Sequence, residues 1–534
     1  MLRMTILRWA SSACVLSLSL PAYGQHPNIE LDAIIAPLSK PDSPGCAVAA
    51  ERGGQRIATH AFGLADLEHS VPINLGTVFE AGSVSKQFTA AATLLLVEEG
   101  KLKVNDDIRK YLPQMPNYGR PITIDHLLNH TSGLRDWGVV AGVTGWPRGT
   151  RAYTNDDVLR IAAAQRSLNY PPGSEYSYTN TGYNMLAVIV ERVTGQSLAA
   201  FTKARLFEPL GMTNTSWRDD FQRIVKNRAV AYMPADGGGY AEARPFENDY
   251  GNGGLLTTVD DLMIWNAALT AGKLGDSVTA QLQERATLSG GQRITYSRGL
   301  VVSKYKGAAT VSHGGATGGY RAWIERFPES GLSIGVLCNG GNINPGEIAR
   351  QLADTALDLQ DALAKGIAVK GLDANVGMYV NVSNGAALWL DLADGTLKLR
   401  GGPALTPLGG GRFQSDAGQL VFQGGDAFTL IDNSGQPTRF ARTEPVTPGA
   451  SLKPYVGTYA SVEASGVRYA VTETAGTLTL QLLDRSDPKF APPILLKPTY
   501  KDAFQDGDGI IVRFKPGVMV LGMPRLRALR FMRE

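Results

Sequence analysis

The sequence predicts a large region of mixed helices and strands followed by two small antiparallel β domains, and three observations carry that expectation. At 534 residues the chain exceeds one ordinary domain and has room for two or three. From about residue 30 to 360, long helical apolar patterns alternate with strand-like runs, whereas beyond about 370 the runs are short, β-like and broken by Gly, Asp and Asn. The tail also repeats itself. Val376-Gly377-Met378-Tyr379 recurs as Val456-Gly457-Thr458-Tyr459, and Gly395-Thr396-Leu397-Lys398-Leu399 recurs as Gly476-Thr477-Leu478-Thr479-Leu480.

Later matches are displaced further: Leu405-Thr406-Pro407 by Leu496-Lys497-Pro498, Phe413-Gln414 by Phe504-Gln505, and Phe440-Ala441-Arg442 by Phe531-Met532-Arg533. The spacing grows from about 80 to 91, so the second copy has gained about ten residues between Leu480 and Leu496. Units of this length are two similar small β domains rather than a solenoid, and closure into barrels would remove their edge strands. The expected boundaries are 30–360 for the mixed region, 361–372 for a linker, 373–445 for the first β domain and 452–534 for the second. The gained segment, Leu482 to Ile494, carries Asp484, Arg485, Asp487 and Lys489, and reads either as a solvated hairpin loop or as a projection onto the larger region.

Residues 1–24 read as a secretory leader. Arg3 and Arg8 supply positive charge, Ala10 to Leu20 a short apolar stretch, and Ala22-Tyr23-Gly24 small residues for cleavage before Gln25. That stretch is shorter than the roughly 20 residues a spanning helix needs, so a periplasmic or secreted protein without a stable membrane anchor is expected. Formal net charge is only +3, with no dense Lys/Arg run, which argues against nucleic acid as a partner. Of three cysteines Cys14 lies in the leader, while Cys46 and Cys338 sit in strand-like runs. A bridge between them is conceivable in an oxidising compartment, although nothing local fixes their distance. Zinc finds little support, because the helical pair His126 and His130 lacks the Glu that a metalloprotease pattern requires.

The chemistry concentrates in three stretches. Glu80-Ala81-Gly82-Ser83-Val84-Ser85-Lys86 precedes a helical run, Gln87 to Glu99, with Phe88, Ala91, Ala92, Leu95 and Leu96 on one face. Ser-x-x-Lys puts a hydroxyl and an amine one helical turn apart, a spacing that suits nucleophile and base if the surroundings keep Lys86 neutral. Tyr178-x-Asn180 sets a phenol and an amide two residues apart in a stretch rich in Tyr, Ser and Thr. Val311-Ser312-His313-Gly314-Gly315-Ala316 supplies a strand whose glycines let substrate approach closely. A formal Gly-x-Ser-x-Gly around Ser333 continues as a strand on both sides and lacks the helix a nucleophile elbow needs.

In this order the three stretches resemble the serine β-lactamase and penicillin-binding-protein family, with Tyr178-x-Asn180 similar to its class C members and His313-x-Gly315 similar to its Lys-Thr-Gly strand. His130-Thr131-Ser132-Gly133-Leu134, Phe207-Glu208-Pro209-Leu210-Gly211-Met212 and Gly253-Gly254-Leu255-Leu256-Thr257-Thr258 extend the resemblance over roughly residues 30–355 and are read as mainly structural. It implies an α+β fold, an antiparallel sheet flanked by helices with a helical lobe across a cleft. It also implies acyl transfer to Ser83 without a cofactor, Lys86 and Tyr178 handling protons, Asn180 orienting substrate, and Ala316 N–H as a second oxyanion donor beside the Ser83 turn.

His313 departs from the family's lysine. A neutral imidazole attracts a substrate carboxylate less than an ammonium does, which points away from a specialised β-lactamase. A His-x-Gly catalytic domain followed by two β domains resembles the D-aminopeptidases of this family, in which a loop of the last domain enters the cleft. On that likeness Asp484 or Asp487 would pair with a substrate amino group, the expected partner being a small peptide, amide or ester. A carboxylesterase or promiscuous β-lactamase is the alternative, and a penicillin- or peptidoglycan-binding envelope protein without turnover is the alternative from another class.

Overall fold

The computed structural model describes residues 31–359, 371–432, 435, 437–447, 449–483 and 492–534. The leader, most of the expected linker, and Asp484 and Asp487 lie outside the described residues.

The first region is built on a seven-stranded antiparallel sheet, in the order Tyr296–Ser297, Leu300–Tyr305, Ala308–Thr317, Tyr320–Phe327, Leu332–Cys338, Cys46–Arg52 and Gln55–Phe62. Strand alternation sorts its side chains. Val48, Ala50, Ile334 and Val336 face the helix Pro345–Leu357 through Ile348 and Leu352, whereas Ala47, Ala49 and Leu337 face the helices Lys86–Glu98 and Val259–Thr270. Ser333 sits inside the strand Leu332–Cys338, paired with Glu51 and Arg326, as a sheet residue should. A helical lobe including Trp137–Val143, Asn155–Ala164 and Asn180–Thr194 stands beside the sheet. The helix Lys86–Glu98 runs between them and is buried from Lys86 through Leu96, so the apolar face read from sequence is in fact a surface closed on every side.

Cys46 and Cys338 are directly opposed on neighbouring strands and joined by a disulfide. Long-range strand pairing, invisible in either local run, is what brings them together.

The tail repeat is reproduced in register. Tyr379 pairs with Arg442 as Tyr459 pairs with Arg533, and Pro407 with Phe413 as Pro498 with Phe504. In both copies the tyrosine hydroxyl donates to a carbonyl four residues back, and the arginine donates to the carbonyl of Val376 or Val456. The second copy is a closed eight-stranded barrel from Gly457–Ser461 to Leu526–Arg533. The first keeps the same strand sequence but stays open between Thr396–Leu399 and Thr406–Gly409; among the described residues an isolated bridge of Lys398 with Ala404, ahead of the second strand, is the pairing across that seam. Those strands are four residues long, and the chain between them holds Gly401, Gly402 and Pro403. In the second copy the longer Thr477–Leu482 receives its neighbour across Leu478 and Leu496, at the position of the ten-residue gain.

The barrel docks on the helical lobe. Val140 and Val143 join its core, Tyr469 Oη donates to the Val143 carbonyl at 2.8 Å, and buried Arg135 pairs with Glu463. Exchanging both cysteines, as Cys46→Ala with Cys338→Ala, removes a crosslink spanning 292 residues and should cost about 2–4 kcal/mol of stability. Thermal melting of the double variant beside the oxidised and reduced parent checks this, and three equal midpoints would contradict it.

Candidate active site

The strand Ala308–Thr317 outruns its neighbour Leu300–Tyr305, whose pairing ends at Ser312, so His313–Thr317 keep one edge free. Against that edge lies the tight turn Gly82–Ser85 that leads into the helix Lys86–Glu98. Glycine makes the approach possible: a Cβ on Gly315 would stand 2.0 Å from the Ala81 carbonyl oxygen, and one on Gly82, at φ +51°, would stand 2.7 Å from Ala316 N. Gly315 therefore makes room for the Ser83 turn, whereas the sequence suggested that it makes room for substrate.

Lys86 is wholly buried. Its Nζ lies 3.2 Å from Ser83 Oγ, 2.9 Å from Asn180 Oδ1 and 2.6 Å from the Asn252 carbonyl oxygen. Burial, reinforced by the nearby charge of Arg525, holds the amine well below the usual lysine range. A neutral amine has two N–H bonds and one lone pair. With Asn180 Oδ1 and the Asn252 carbonyl taking the two hydrogens, the lone pair is left for the Ser83 hydroxyl. The acceptors are themselves fixed, since Asn180 N donates to Asp136 Oδ2 at 2.7 Å and Asn184 Nδ2 donates to Asn252 Oδ1 at 3.0 Å.

Tyr178 packs beneath the amine, which sits 4.7 Å from the ring centroid. Its hydroxyl is buried without a hydrogen-bond partner among the described residues, and burial pushes its pKa up, an effect that the neighbouring Ser83 hydroxyl only partly offsets. The ring is set by His130, tilted against it at 40° with 4.2 Å between centroids. A chain of bonds then fixes the histidine tautomers. His313 Nδ1 lies 2.7 Å from the Gly314 carbonyl oxygen, which only accepts, so Nδ1 carries the proton and Nε2 accepts from Tyr296 Oη at 3.2 Å. Tyr296 Oη in turn accepts from His130 Nε2 at 3.0 Å, and His130 Nδ1 accepts from Thr179 N at 3.3 Å.

Every group in that chain is neutral. Burial above all lowers His313 to about 4, and burial lowers His130 well below its ordinary value.

Ser83, Tyr178, Asn180, His313, Gly314, Gly315 and Ala316 all line one cleft of about 480 Å³, with Lys86 directly beneath Ser83. Sequence reading missed Asn252, Asp136, Tyr296 and Arg525, and it took His130 as mainly structural. No local pattern marks them, because each matters only through a partner more than 40 residues away in the chain. Arg525, in the turn between the barrel's last two strands, is the one described residue of the tail that lines the cleft. Arg148 and Arg218 also line it but are paired, Arg148 with Glu247 and Arg218 with Glu80 at 3.0 Å.

A transpeptidase-like sheet and helical lobe enclosing this cleft define a class, the serine hydrolases that carry Ser-x-x-Lys on a buried helix. Within that class the chain belongs to the β-lactamase family, whose model matches residues 31–358. It is 27% identical over 450 residues to a D-aminopeptidase of Gluconobacter oxydans, covering 82% of this chain and 83% of that protein. It is 32% identical over 321 residues to penicillin-binding protein 4* of Bacillus subtilis, covering 55% of this chain and 68% of that one. An octameric penicillin-binding protein homologue from Pyrococcus abyssi shares the fold, with a TM-score of 0.56 and 20% identity over 94% of this chain and 99% of that one.

The depressed His313 gives stability a pH dependence. Its folded pKa lies below the ordinary 6.5, so the unfolded chain takes up the proton first as pH falls. The stability it contributes is fully present above pH 6.5 and declines towards pH 4, by on the order of 3 kcal/mol. Denaturant titrations across that range should show a shallower pH slope for His313→Asn than for the parent; equal slopes would contradict the assignment.

Proposed function

We propose that this serine hydrolase cleaves small amides of D-amino acids, including short peptides, through an acyl-enzyme on Ser83. The observation that carries the reading is the Lys86 amine, kept neutral by burial and left with one lone pair, aimed at Ser83 Oγ 3.2 Å away.

In the first step the Ser83 oxygen attacks the substrate carbonyl while Lys86 takes its proton. The developing oxyanion lies between Ser83 N–H and Ala316 N–H, two donors that Gly82 and Gly315 allow to stand side by side. As the carbon–nitrogen bond breaks, the leaving amine needs a proton, and the unpartnered Tyr178 hydroxyl is placed to give one and to recover it from Lys86. Water then enters, loses a proton to the same pair, and releases the acid from Ser83. Asn180 holds Lys86 by one face and borders the cleft with the other.

The choice of D-amino amides draws on the Gluconobacter oxydans relative, a D-aminopeptidase matched over a length that must run well into the β tail. His313 supports an amide over a β-lactam, since it is neutral and both of its nitrogens are engaged. Export belongs to the same reading: the expected leader and a disulfide in the sheet both suit an oxidising compartment.

Ser83→Ala should abolish fluorophosphonate labelling and all turnover on a panel of D-alanyl anilide, short nitrophenyl esters and a chromogenic cephalosporin. The anilide is expected to be the best substrate of the parent; labelling that persists in the variant overturns the nucleophile, and turnover of the esters alone overturns the substrate class.

The base makes a second prediction. kcat/KM should fall as pH drops through the depressed pKa of Lys86, because protonation occupies the lone pair that Ser83 needs. Lys86→Arg, which cannot lose its proton, should lower kcat by at least about 100-fold. A parent whose kcat/KM does not fall on acidification, or a Lys86→Arg variant of near-parental activity, would refute that role.

A further inference from the structure

Of the three arginines lining the cleft, Arg148 and Arg218 are neutralised by carboxylates, and Glu80, the carboxylate in the lining, is itself held by Arg218 and Arg228. Arg525 differs. Its side chain is exposed, donates to no acceptor among the described residues, and lies with its guanidinium 4.8 Å from the centroid of the Tyr178 ring. Among the described residues the cleft therefore presents one uncompensated cation, delivered by the last barrel to the side of the site where Tyr178 stands.

Its backbone is anchored independently of that side chain. The Arg525 carbonyl accepts from Asp136 N at 3.2 Å and from Asn169 Nδ2 at 3.1 Å, and the next turn residue pair is tied by Arg527 N donating to Asn169 Oδ1 at 2.7 Å. Arg527 also pairs with Glu175 at 2.7 Å, and Arg135 donates to the Arg527 and Ala528 carbonyls. The residue adopts φ +66°, a conformation that few non-glycine residues hold without such tethers. The turn is thus clamped through its main-chain atoms, while the guanidinium rests against the Tyr178 ring with its N–H groups bonded to no acceptor among the described residues.

We propose that Arg525 is the residue by which the second barrel sets specificity, binding a carboxylate on the leaving group. The proposal rests on the acyl-enzyme reading above, in which Tyr178 protonates the leaving nitrogen. In an amino-acid or peptide leaving group with a free carboxyl terminus, that carboxylate lies two bonds from the nitrogen of a single residue. It would face a guanidinium lying 4.8 Å from the centre of the very ring that delivers the proton. A planar guanidinium grips a carboxylate through two parallel N–H bonds, which an ammonium does not match. The favoured substrates are then dipeptides with a D-amino acid in the acyl position and a free C-terminal carboxylate, in preference to simple amides. The site of a family lysine is held by neutral His313, so the charge for such a substrate comes from another domain.

The field of Arg525 on Lys86 acts on every substrate alike, so the test compares two ligands that differ only in charge. Calorimetry on the full-length Ser83→Ala protein would measure D-alanyl-glycine against D-alanyl-glycinamide, with no turnover required. The acid should bind at least about tenfold more tightly, with a preference that weakens as salt rises. Adding Arg525→Gln should erase the preference, and Arg525→Lys should restore part of it. Equal binding of acid and amide, binding of neither, or a preference that survives Arg525→Gln would each overturn the proposal. Fluorophosphonate labelling of Ser83 in the parent reports separately on the acyl-enzyme reading, so the two can fail independently.

Discussion

The site depends on burying one amine without a counter-ion. Among the described residues no carboxylate bonds Lys86; a carbonyl, a side-chain amide and a hydroxyl surround it, and burial without a directly paired charge is what disfavours the ammonium. That arrangement depends on the enclosure of the helix Lys86–Glu98, which keeps bulk water from around Nζ and so disfavours the ammonium. It also explains why the surrounding polar groups bond to one another. Trp137 Nε1 and Asn252 hold Asn184, and Asp136 holds the start of the helix that carries Asn180. Each such bond fixes an acceptor that would otherwise be free to turn away.

The aromatic cluster extends the same logic to the phenol. His130, Tyr296 and His313 form a line of neutral hydrogen bonds in which each ring has a single consistent tautomer. The line keeps Tyr178 in place without offering its hydroxyl a permanent partner, which leaves that hydroxyl available to substrate. Charged residues of the cleft are handled differently. Arg218 with Glu80 forms a buried pair, where loss of either partner would strand an uncompensated charge, whereas Arg148 reaches the buried Glu247 from a partly exposed position.

The β tail shows one sequence pattern reaching two closures. Both copies share the tyrosine–arginine pairing that joins their first and last strands, yet only the copy with the longer connection closes its remaining seam. The closed copy is the one docked on the helical lobe through Arg135, Glu463 and Tyr469. A closed barrel is a stiff support, and its last turn is the part that enters the cleft.

Local chemistry made much of this legible. Ser83 and Lys86 are one turn apart on a helix by spacing alone, Tyr178 and Asn180 flank a helix start, and the repeat in the tail is written in the order of its residues, so none of these required knowledge of distant contacts. The sheet, the cleft and the fate of Cys46 and Cys338 are a different matter. Strand partners 292 positions apart leave no trace in either strand, and the same holds for Asn252 beneath Lys86 and for Arg525, whose turn looks like any other between two strands. The sequence by itself determined which groups were chemically able to react, because reactivity begins with residue type and short spacing. Tertiary structure alone decided which of them lost their water, and that loss turns a lysine into a base.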